Sequence, residues 1–321
     1  MASKLQTKAI GSSGTEIFSG FIDEDYNKDL QFPQSTEVFD KMRKGDGSVM
    51  AILNATKLPL LNGIYSVVPA SDSAQDKEIA EFVEFVFFEN LVWQEFLTQM
   101  LICFDYGFMV FEKVYTKMGD KIVYKKLAPR LPKSVYKWLT DEPFVRADGE
   151  PGIEQQVFSD LAKDSLVTIP ASKLFRVSIN QEGDNYEGVS LLRAAYKHWK
   201  IKDLLYKIQG IGAERTAVGV PVARRTAEGT IQPKDLEKVQ TTLENLRANE
   251  KQYLIEPFGW EFRFEKAEGK FEYEEAILHH DRQIAKSVLA QFLDLGVNKG
   301  ALSQGKIDQE LFLNSITAMI N

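Results

Sequence analysis

Few side chains in this sequence have the types and spacing that catalysis or metal binding needs. Two of the three histidines, His279 and His280, are neighbours. Adjacent residues on a helix point about 100° apart, so these imidazoles cannot hold one metal as an i,i+4 pair does. The one cysteine, Cys103, excludes a zinc site built from several cysteines, and its place in an apolar run predicts a buried thiol. The sequence therefore predicts no metal site and no cofactor.

Catalytic motifs are equally scarce. The sequence contains neither the G-x-x-x-x-G-K-[ST] loop of nucleotide-binding motors nor the G-x-S-x-G turn of hydrolases. Asp281 with Arg282, and Glu214 with Arg215, are interpreted as helix-end ion pairs because no further catalytic group accompanies them. We predict no catalytic residue and no enzyme activity. The alternatives are a structural assembly protein, a nucleic-acid-processing enzyme without a recognisable motif, and a generic soluble adaptor.

Composition supports a soluble globular protein with two or three domains. The 321 residues are 44% hydrophobic and 26% charged, with a formal net charge of −7. This charge argues against a surface that binds nucleic acid everywhere, but it permits a local basic lining. No apolar stretch is long enough to cross a bilayer, and the N-terminus lacks a signal-peptide pattern. We expect no membrane partner and synthesis in the cytoplasm.

The clearest concentration of basic side chains lies on a long predicted helix, residues 188–217. Gly188 and Ser190 offer its start, since a serine hydroxyl can accept a backbone N–H of the first turn. The sequence continues without proline until Pro221. Four basic residues share one stripe of about 80° on this helix. They are Arg193, Lys197, Lys200 and Lys207. On pattern alone, the favoured interpretation is a core helix with a solvated lysine face.

The chain after this helix predicts a small α/β insert. V-G-V-P-V-A-R-R is interpreted as a strand ending in Arg224 and Arg225, and a helix over 234–249 has Pro233 at its first turn. Y-L-I-E-P and W-E-F-R-F-E predict two further strands. A helix over 271–293 then carries Glu272 and Glu275 on one face. A glycine-broken loop and a new helix from residue 307 follow.

The first half of the chain predicts an α+β domain. Helices are predicted over 38–43, 49–58 and 76–100, and a strand over 64–69. A β-hairpin turns at Gly119 and Asp120, and L-V-T-I-P and K-L-F-R-V-S-I-N form two short strands. Residues 1–35 are polar and are predicted to form a flexible arm.

Several motifs in this order resemble the portal proteins of tailed bacteriophages, in the branch with the Mu-like and siphovirus portals. They are Y-G-F-M-V-F-E-K-V-Y at 106–115, L-A-P-R-L-P at 127–132, G-V-S-L-L-R-A-A-Y-K-H-W-K-I-K at 188–202, E-R at 214–215 and G-V-P at 219–221. The resemblance implies a portal-like α+β fold in which two long stem helices flank a small clip domain. Its domains would be a wing (36–187), stem helix 1 (188–217), a clip (218–270), stem helix 2 (271–293), a tunnel loop (294–306) and the start of a wing or channel helix (307–321).

The same resemblance implies a function. Portals of this family form a homo-oligomeric ring, here expected to have 12 subunits, at the head–tail vertex of the virion. Double-stranded DNA passes through the ring, which does not hydrolyse ATP. Its expected partners are the terminase large subunit, neck or adaptor proteins, and the major capsid or scaffolding protein. The protein would be made in the host cytoplasm.

The resemblance also assigns candidate site residues. The tunnel loop would bring Asn298, Lys299, Gln304 and Lys306 near the DNA. The clip would place Arg224 and Arg225 near the end where the motor docks. The basic stripe of stem helix 1 would meet Glu272 and Glu275 of stem helix 2, within or between subunits. Portals continue through more wing and a helical crown, whereas this sequence stops at Asn321, so no crown function is expected of it.

Overall fold

The computed structural model describes residues 13–18, 21–23, 25–139, 151–157, 165–217, 220–226, 233–247, 259–265, 273–288, 310 and 312–314. The chain divides into two compact units. The larger unit comprises Met1–Trp199 and Asp281–Asn321, and the smaller unit is Lys200–His280. The mixed helix and sheet architecture expected from the sequence is confirmed.

The helices and strands are as follows. The helices are α1 (Gln34–Gly45), α2 (Gly47–Leu61), α3 (Ala74–Glu84), α4 (Trp93–Met100), α5 (Cys103–Tyr106), α6 (Tyr196–Ala217), α7 (Pro233–Arg247) and α8 (Tyr273–Ser287). The strands are β1 (Ile17–Phe18), β2 (Phe21–Ile22), β3 (Phe108–Met118), β4 (Lys121–Arg130), β5 (Val135–Leu139), β6 (Gly152–Val157), β7 (Ser165–Pro170), β8 (Leu174–Ser178), β9 (Val220–Arg225) and β10 (Trp260–Glu265).

Two antiparallel sheets organise the larger unit. One has the strand order β4-β3-β8 and the other β5-β6-β7. The predicted hairpin is present as β3 and β4, and Gly119 adopts the positive φ of 60° that its tight turn requires. The two strands predicted after it are β7 and β8.

Apolar side chains from these elements form the core of the larger unit. One cluster of buried side chains comes from both sheets and includes Phe108, Val110 and Trp138. A second cluster, which includes Phe104 and Met109, packs around α4 and α5. A third cluster joins α1 and α2 to Leu192 and to Ile284 of α8, both fully buried. Burial of large side chains on this scale is the main term that holds the unit together.

Two motif glycines meet at the junction between α5 and the segment before α6. Gly107 has a φ of 99° and Gly188 a φ of 59°. A Cβ on Gly107 would lie 2.4 Å from the carbonyl oxygen of Glu187, and one on Gly188 would lie 2.3 Å from that of Ile179. Only glycine fits both positions, so this contact explains why both motifs contain it.

The long helix starts later than predicted. Residues 191–195 form turns, and α6 begins at Tyr196 rather than at Gly188. Ser190 caps the turn, since its hydroxyl accepts the N–H of Leu192 at 3.0 Å. That hydroxyl also donates to the carbonyl oxygen of Asp105 at 2.7 Å, so the serine ties the turn to α5.

Two further predictions for the first half need correction. The helix expected over 76–100 is interrupted, because α3 passes into a π-helical segment, Phe85–Asn90, before α4 begins at Trp93. Aromatic packing around Trp93 accompanies the break: its ring centroid lies 4.9 Å from that of Phe88 and 5.2 Å from that of Tyr65. The strand expected over 64–69 pairs with no strand in the described chain.

The flexible arm expected over residues 1–35 ends before residue 35. Leu30 and Phe32 are buried in the core, and α1 already begins at Gln34. The preceding turn carries Asp25, which forms an ion pair with Arg193. Residues 1–12 lie outside the described residues.

In the described part of the smaller unit, strand β9, helix α7 and strand β10 follow one another in the predicted order. Strands β9 and β10 are antiparallel, α7 packs against β9, and Val239 of α7 is buried. Helix α7 begins at Pro233 as expected. The strand predicted from Y-L-I-E-P lies outside the described residues.

Candidate functional site

Two of the four residues of the basic stripe predicted on stem helix 1 form described ion pairs, and the other two are exposed. Arg193 precedes α6, and its Nε lies 2.6 Å from a carboxylate oxygen of Asp25. Lys207 pairs with Asp203 of its own helix at 2.6 Å. Lys197 and Lys200 are exposed. The described ion pairs of Arg193 and Lys207 are therefore with Asp25 and Asp203.

Of the two acidic residues predicted to meet that stripe, the structure describes one. Glu275 lies in the first turn of α8 and is exposed. Glu272 lies outside the described residues. A contact of Glu275 with the basic stripe, within or between subunits, stays a prediction.

Helix α6 also presents apolar side chains to solvent. Leu204, Ile208 and Ile211 are 54%, 39% and 50% exposed. Their i, i+4, i+7 spacing places them on one face of the helix, which we call the α6 stripe. The α6 stripe is exposed in the single chain. A contiguous apolar stripe of this kind is typical of a protein–protein contact.

The two arginines predicted for the clip lie at the end of β9. The β9–β10 register sets Arg224 opposite Glu261 and Arg225 opposite Trp260. Directly opposed side chains of opposite charge attract each other across an antiparallel pair. Arg224 is exposed and Arg225 is half-buried, so the first is the more available of the two for a partner.

Four residues of the predicted tunnel loop were expected to contact DNA. Asn298, Lys299, Gln304 and Lys306 all lie outside the described residues. Their role near DNA stays a prediction from the resemblance.

The larger unit contains a buried network of charged side chains that was not predicted from the sequence. Its centre is Asp40 of α1, whose carboxylate lies within 3.0 Å of three cationic groups and accepts a hydrogen bond from Tyr106 Oη at 3.0 Å. The cations belong to Arg43, Lys44 and Lys133. The network thereby links α1 to α5 and to the turn before β5.

Asp105 of α5 is the second carboxylate of the network and is 1% exposed. Lys57 Nζ lies 2.5 Å from its Oδ1, and Arg43 Nη1 lies 3.4 Å from its Oδ2. Arg43 therefore bridges the two acids. The sequence signal was a charged residue embedded in the apolar run L-I-C-F-D-Y-G. A buried acid needs buried or half-buried cations nearby, because an isolated charge is costly to desolvate.

The two carboxyl groups have opposite pKa shifts. Burial alone would raise the pKa of Asp40, but hydrogen bonds from Lys133, Lys44 and Arg43 outweigh it and hold that pKa well below its usual range. Burial raises the pKa of Asp105, and the attraction of Lys57 and Arg43 only partly offsets it. These groups tie together elements of the core. We interpret the role of the network as structural: it holds α1, α2, α5 and the turn before β5 together.

The single cysteine is not reactive in the folded chain. The thiol of Cys103 is buried as predicted, and burial raises its pKa to about 12, so it is not a nucleophile at neutral pH. Among the described residues, no cluster of three or more histidine, cysteine or acidic side chains is arranged to hold a metal ion. No helix in the described ranges is long and apolar enough to span a bilayer.

Comparison with known proteins gives one family match and several structural matches. A family model for the portal protein of Mu bacteriophage matches residues 36–320. A chain in the neck of a native gene transfer agent particle, computed with C12 symmetry, has a TM-score of 0.52. It is 14% identical, and the alignment covers 86% of this chain and 75% of that one. A chain from the neck of an empty particle, computed with C6 symmetry, has a TM-score of 0.51 at 15% identity, covering 84% and 73%. At these identities the matches establish a shared fold.

Proposed function

Because the chain belongs to the family of the Mu bacteriophage portal protein, and portal proteins are structural, we propose that it is the subunit of a ring at the head–tail vertex of a virion. The observation that carries this proposal is the match to the family model over residues 36–320. The resemblance identified in the sequence is thereby confirmed at the level of the family. The ring, its channel and its partners are the proposal.

The ring would have 12 subunits, which the C12 symmetry of the similar neck structure supports. A closed ring needs two different complementary faces on each subunit, because each copy contacts its neighbours head to tail. The α6 stripe supports such an assembly, since Leu204, Ile208 and Ile211 are uncovered in one chain. Covering them would remove apolar surface from water, at about 25 cal/mol for each Å² buried.

Within the ring, the two long helices α6 and α8 would be the stem, the β9–β10 sheet with α7 the clip, and the larger unit the wing. Double-stranded DNA would pass through the central channel. A subunit with a net charge of −7 suits that role, because mostly negative walls repel a polyanion and avoid trapping it. A few basic side chains, such as Lys299 of the tunnel loop, would keep the DNA centred.

The clip would be the docking site for the terminase motor during packaging and for neck proteins afterwards. Arg224 is the described side chain best suited to that contact, since it is exposed at the end of β9. The wing would contact the capsid or scaffolding protein. The ring itself would not hydrolyse ATP, so the motor would supply the energy for DNA movement.

The proposal is tested by the mass and shape of the purified protein. Light scattering should give a species of about 12 subunits of 36.4 kDa each, and class averages from electron microscopy should show a ring with a central hole. A nucleic-acid-processing enzyme or a small adaptor would give a small species without a hole. A strictly monomeric mass at high protein concentration would contradict the portal assignment.

A further inference from the structure

A short segment between α2 and α3 has the properties of a strand but pairs with none of the described strands. Residues 64–69, I-Y-S-V-V-P, are rich in β-branched and aromatic side chains. Their burial alternates residue by residue: 64, 66 and 68 are exposed and 65, 67 and 69 are half-buried. That alternation is the period of an extended strand. We call residues 64–69 the unpaired segment.

The backbone of the unpaired segment makes no hydrogen bond to any described residue. A strand-like segment in this state presents a row of free N–H and C=O groups, which readily pair with another chain. Its outward apolar side chains are unusually bare: Ile64 is 100% exposed and Val68 is 80% exposed. Pairing with another strand would therefore satisfy the backbone groups of this segment and cover its outward apolar side chains.

The segment is nevertheless anchored. Tyr65 points inward, its hydroxyl donates to the carbonyl oxygen of Leu60 at 2.7 Å, and its ring centroid lies 5.2 Å from that of Trp93. The inward side is thus fixed to the core while the outward side stays available. A pre-positioned strand loses less conformational entropy on pairing than a free peptide does.

The same chain offers one sheet edge suited to receive such a strand. Strand β7 lies at the edge of the sheet β5-β6-β7 and pairs only with β6 among the described strands. Its six residues, S-L-V-T-I-P, carry no charge and equal the unpaired segment in length. Leu166 is 50% exposed and Val167 is 45% exposed, so this edge strand presents apolar side chains on its surface.

The other edge strands carry features that discourage pairing. Strand β4 has Lys121, Lys125 and Lys126 and an irregular register between Val114 and Tyr115 of its partner. Lysines and bulges are the devices that protect exposed edges. Charges also occur on the remaining edge strands of three or more residues, namely β5, β8, β9 and β10.

We propose that the unpaired segment of one subunit adds as a strand to the β7 edge of the neighbouring subunit. The occupant of the β7 edge is thus a second copy of this chain. Each copy provides one segment and one edge, so the contact is head to tail and can repeat around a closed ring. This inference rests on the proposed ring and adds to it a specific wing-to-wing contact.

Cross-linking between engineered cysteines tests the pairing. Ser66→Cys is combined in turn with Leu166→Cys, Val167→Cys and Thr168→Cys, because the register is not fixed by the single chain. Side chains directly opposite in a sheet come close enough for a disulfide. Mild oxidation of the assembled protein should give a ladder of covalent oligomers on a denaturing gel for at least one combination. Buried Cys103 is present throughout and serves as the background.

The matched control combines Ser66→Cys with Lys125→Cys, which is exposed on the β4 edge. A ladder with the β7 cysteines and none with the control supports the proposal. Rings in the electron microscope without a ladder from any β7 combination would overturn the strand pairing and leave the portal function standing. A ladder from the control alone would also overturn it. Absence of rings in the wild-type protein would overturn the portal function and this contact together.

A second set of variants tests the role of the backbone. Successive N–H groups of a strand point to opposite edges, so Ser66→Pro and Val67→Pro are made separately, and one of the two removes an N–H that faces the β7 edge. Neither N–H bonds to the backbone of a described residue. Association should weaken by about tenfold in that variant, whereas Ser66→Ala should associate as the wild type does. Wild-type association of both proline variants, each folded by circular dichroism, would contradict the pairing.

Discussion

Lys57 Nζ lies 2.5 Å from Oδ1 of Asp105, whose side chain is 1% exposed. This ion pair joins α2 to α5 inside the larger unit. The carboxylate belongs to the residue just before Tyr106 and Gly107, the motif that first indicated the family. The pair therefore supports the backbone position where Gly107 and Gly188 meet.

Loss of the cation should destabilise the wing. Lys57→Met leaves Asp105 buried with only the longer contact to Arg43, and removing one partner of a buried pair costs about 3 kcal/mol. Chemical unfolding monitored by circular dichroism measures the change. Lys77→Met is the matched control, because Lys77 pairs with the fully exposed Asp72 and should cost less than about 1 kcal/mol. Equal losses for the two variants would show that Asp105 does not depend on Lys57.

Asp40 should make stability depend on pH on the acidic side. Its pKa is lower in the folded chain than in the unfolded chain, so it stabilises the fold above about pH 4. This contribution is lost as the pH falls below that value. Asp105 acts with the opposite sign, because its raised pKa favours the fold at low pH and loses that effect as the pH rises.

Asp40→Asn should therefore be less stable at pH 7, by about 2 kcal/mol or more, and should lose less stability on acidification than the wild type. Urea unfolding at several values between pH 7 and pH 3 provides the comparison. Asp203→Asn serves as the control, since Asp203 is exposed beside Lys207. An unchanged acid slope in the Asp40 variant would contradict the assigned pKa shift.

The α6 stripe should be required for assembly. Ile208→Glu places a charge among Leu204 and Ile211, so a contact that covers the stripe would have to desolvate it. We expect a monomer or small oligomer by light scattering, with an unchanged circular dichroism spectrum because Ile208 is 39% exposed in the single chain. Gln209→Glu adds the same charge about 100° away on the same helix and should still assemble. Normal rings from Ile208→Glu would mean that the stripe faces solvent in the assembly.

The clip arginines should affect the motor more than the ring. Replacement of Arg224 and Arg225 by alanine should weaken terminase docking by roughly tenfold, the effect of losing one or two charged contacts. Ring mass should be unchanged. Arg263→Ala is the matched control, because Arg263 lies on the neighbouring strand β10 near Glu265. Surface plasmon resonance measures the docking. Wild-type docking by the double variant would show that Arg224 and Arg225 do not contribute to the terminase contact.

Lys299 should influence DNA movement. Repeated once in each subunit, it would form a positive belt in a mostly negative channel and attract phosphates weakly and without sequence preference. Lys299→Glu should reduce the DNA packaged per head or its retention. Lys299→Gln separates loss of the positive charge from introduction of a negative one. Unchanged packaging and retention in the glutamate variant would show that this loop does not contact DNA.

Local patterns in the sequence predicted the elements whose partners are close along the chain. The hairpin of β3 and β4 followed from two apolar strands around Gly119 and Asp120, and the start of α7 followed from Pro233. Such elements are determined by turn geometry and side-chain periodicity within a few residues. The ordered motifs likewise predicted the portal family.

Tertiary structure decided what depends on contacts between distant residues. The strand predicted over residues 64–69 is not formed, because pairing needs an edge at the right place and none of the described strands lies beside them. Helix α6 starts later than predicted because Gly188 packs against Ile179, a contact that exists only in the folded chain. Asp105 appeared in the sequence only as an acid within an apolar run, because its partners Lys57 and Arg43 lie about 50 to 60 residues away. Burial and partner position are properties of the packed chain, and a local pattern does not contain them.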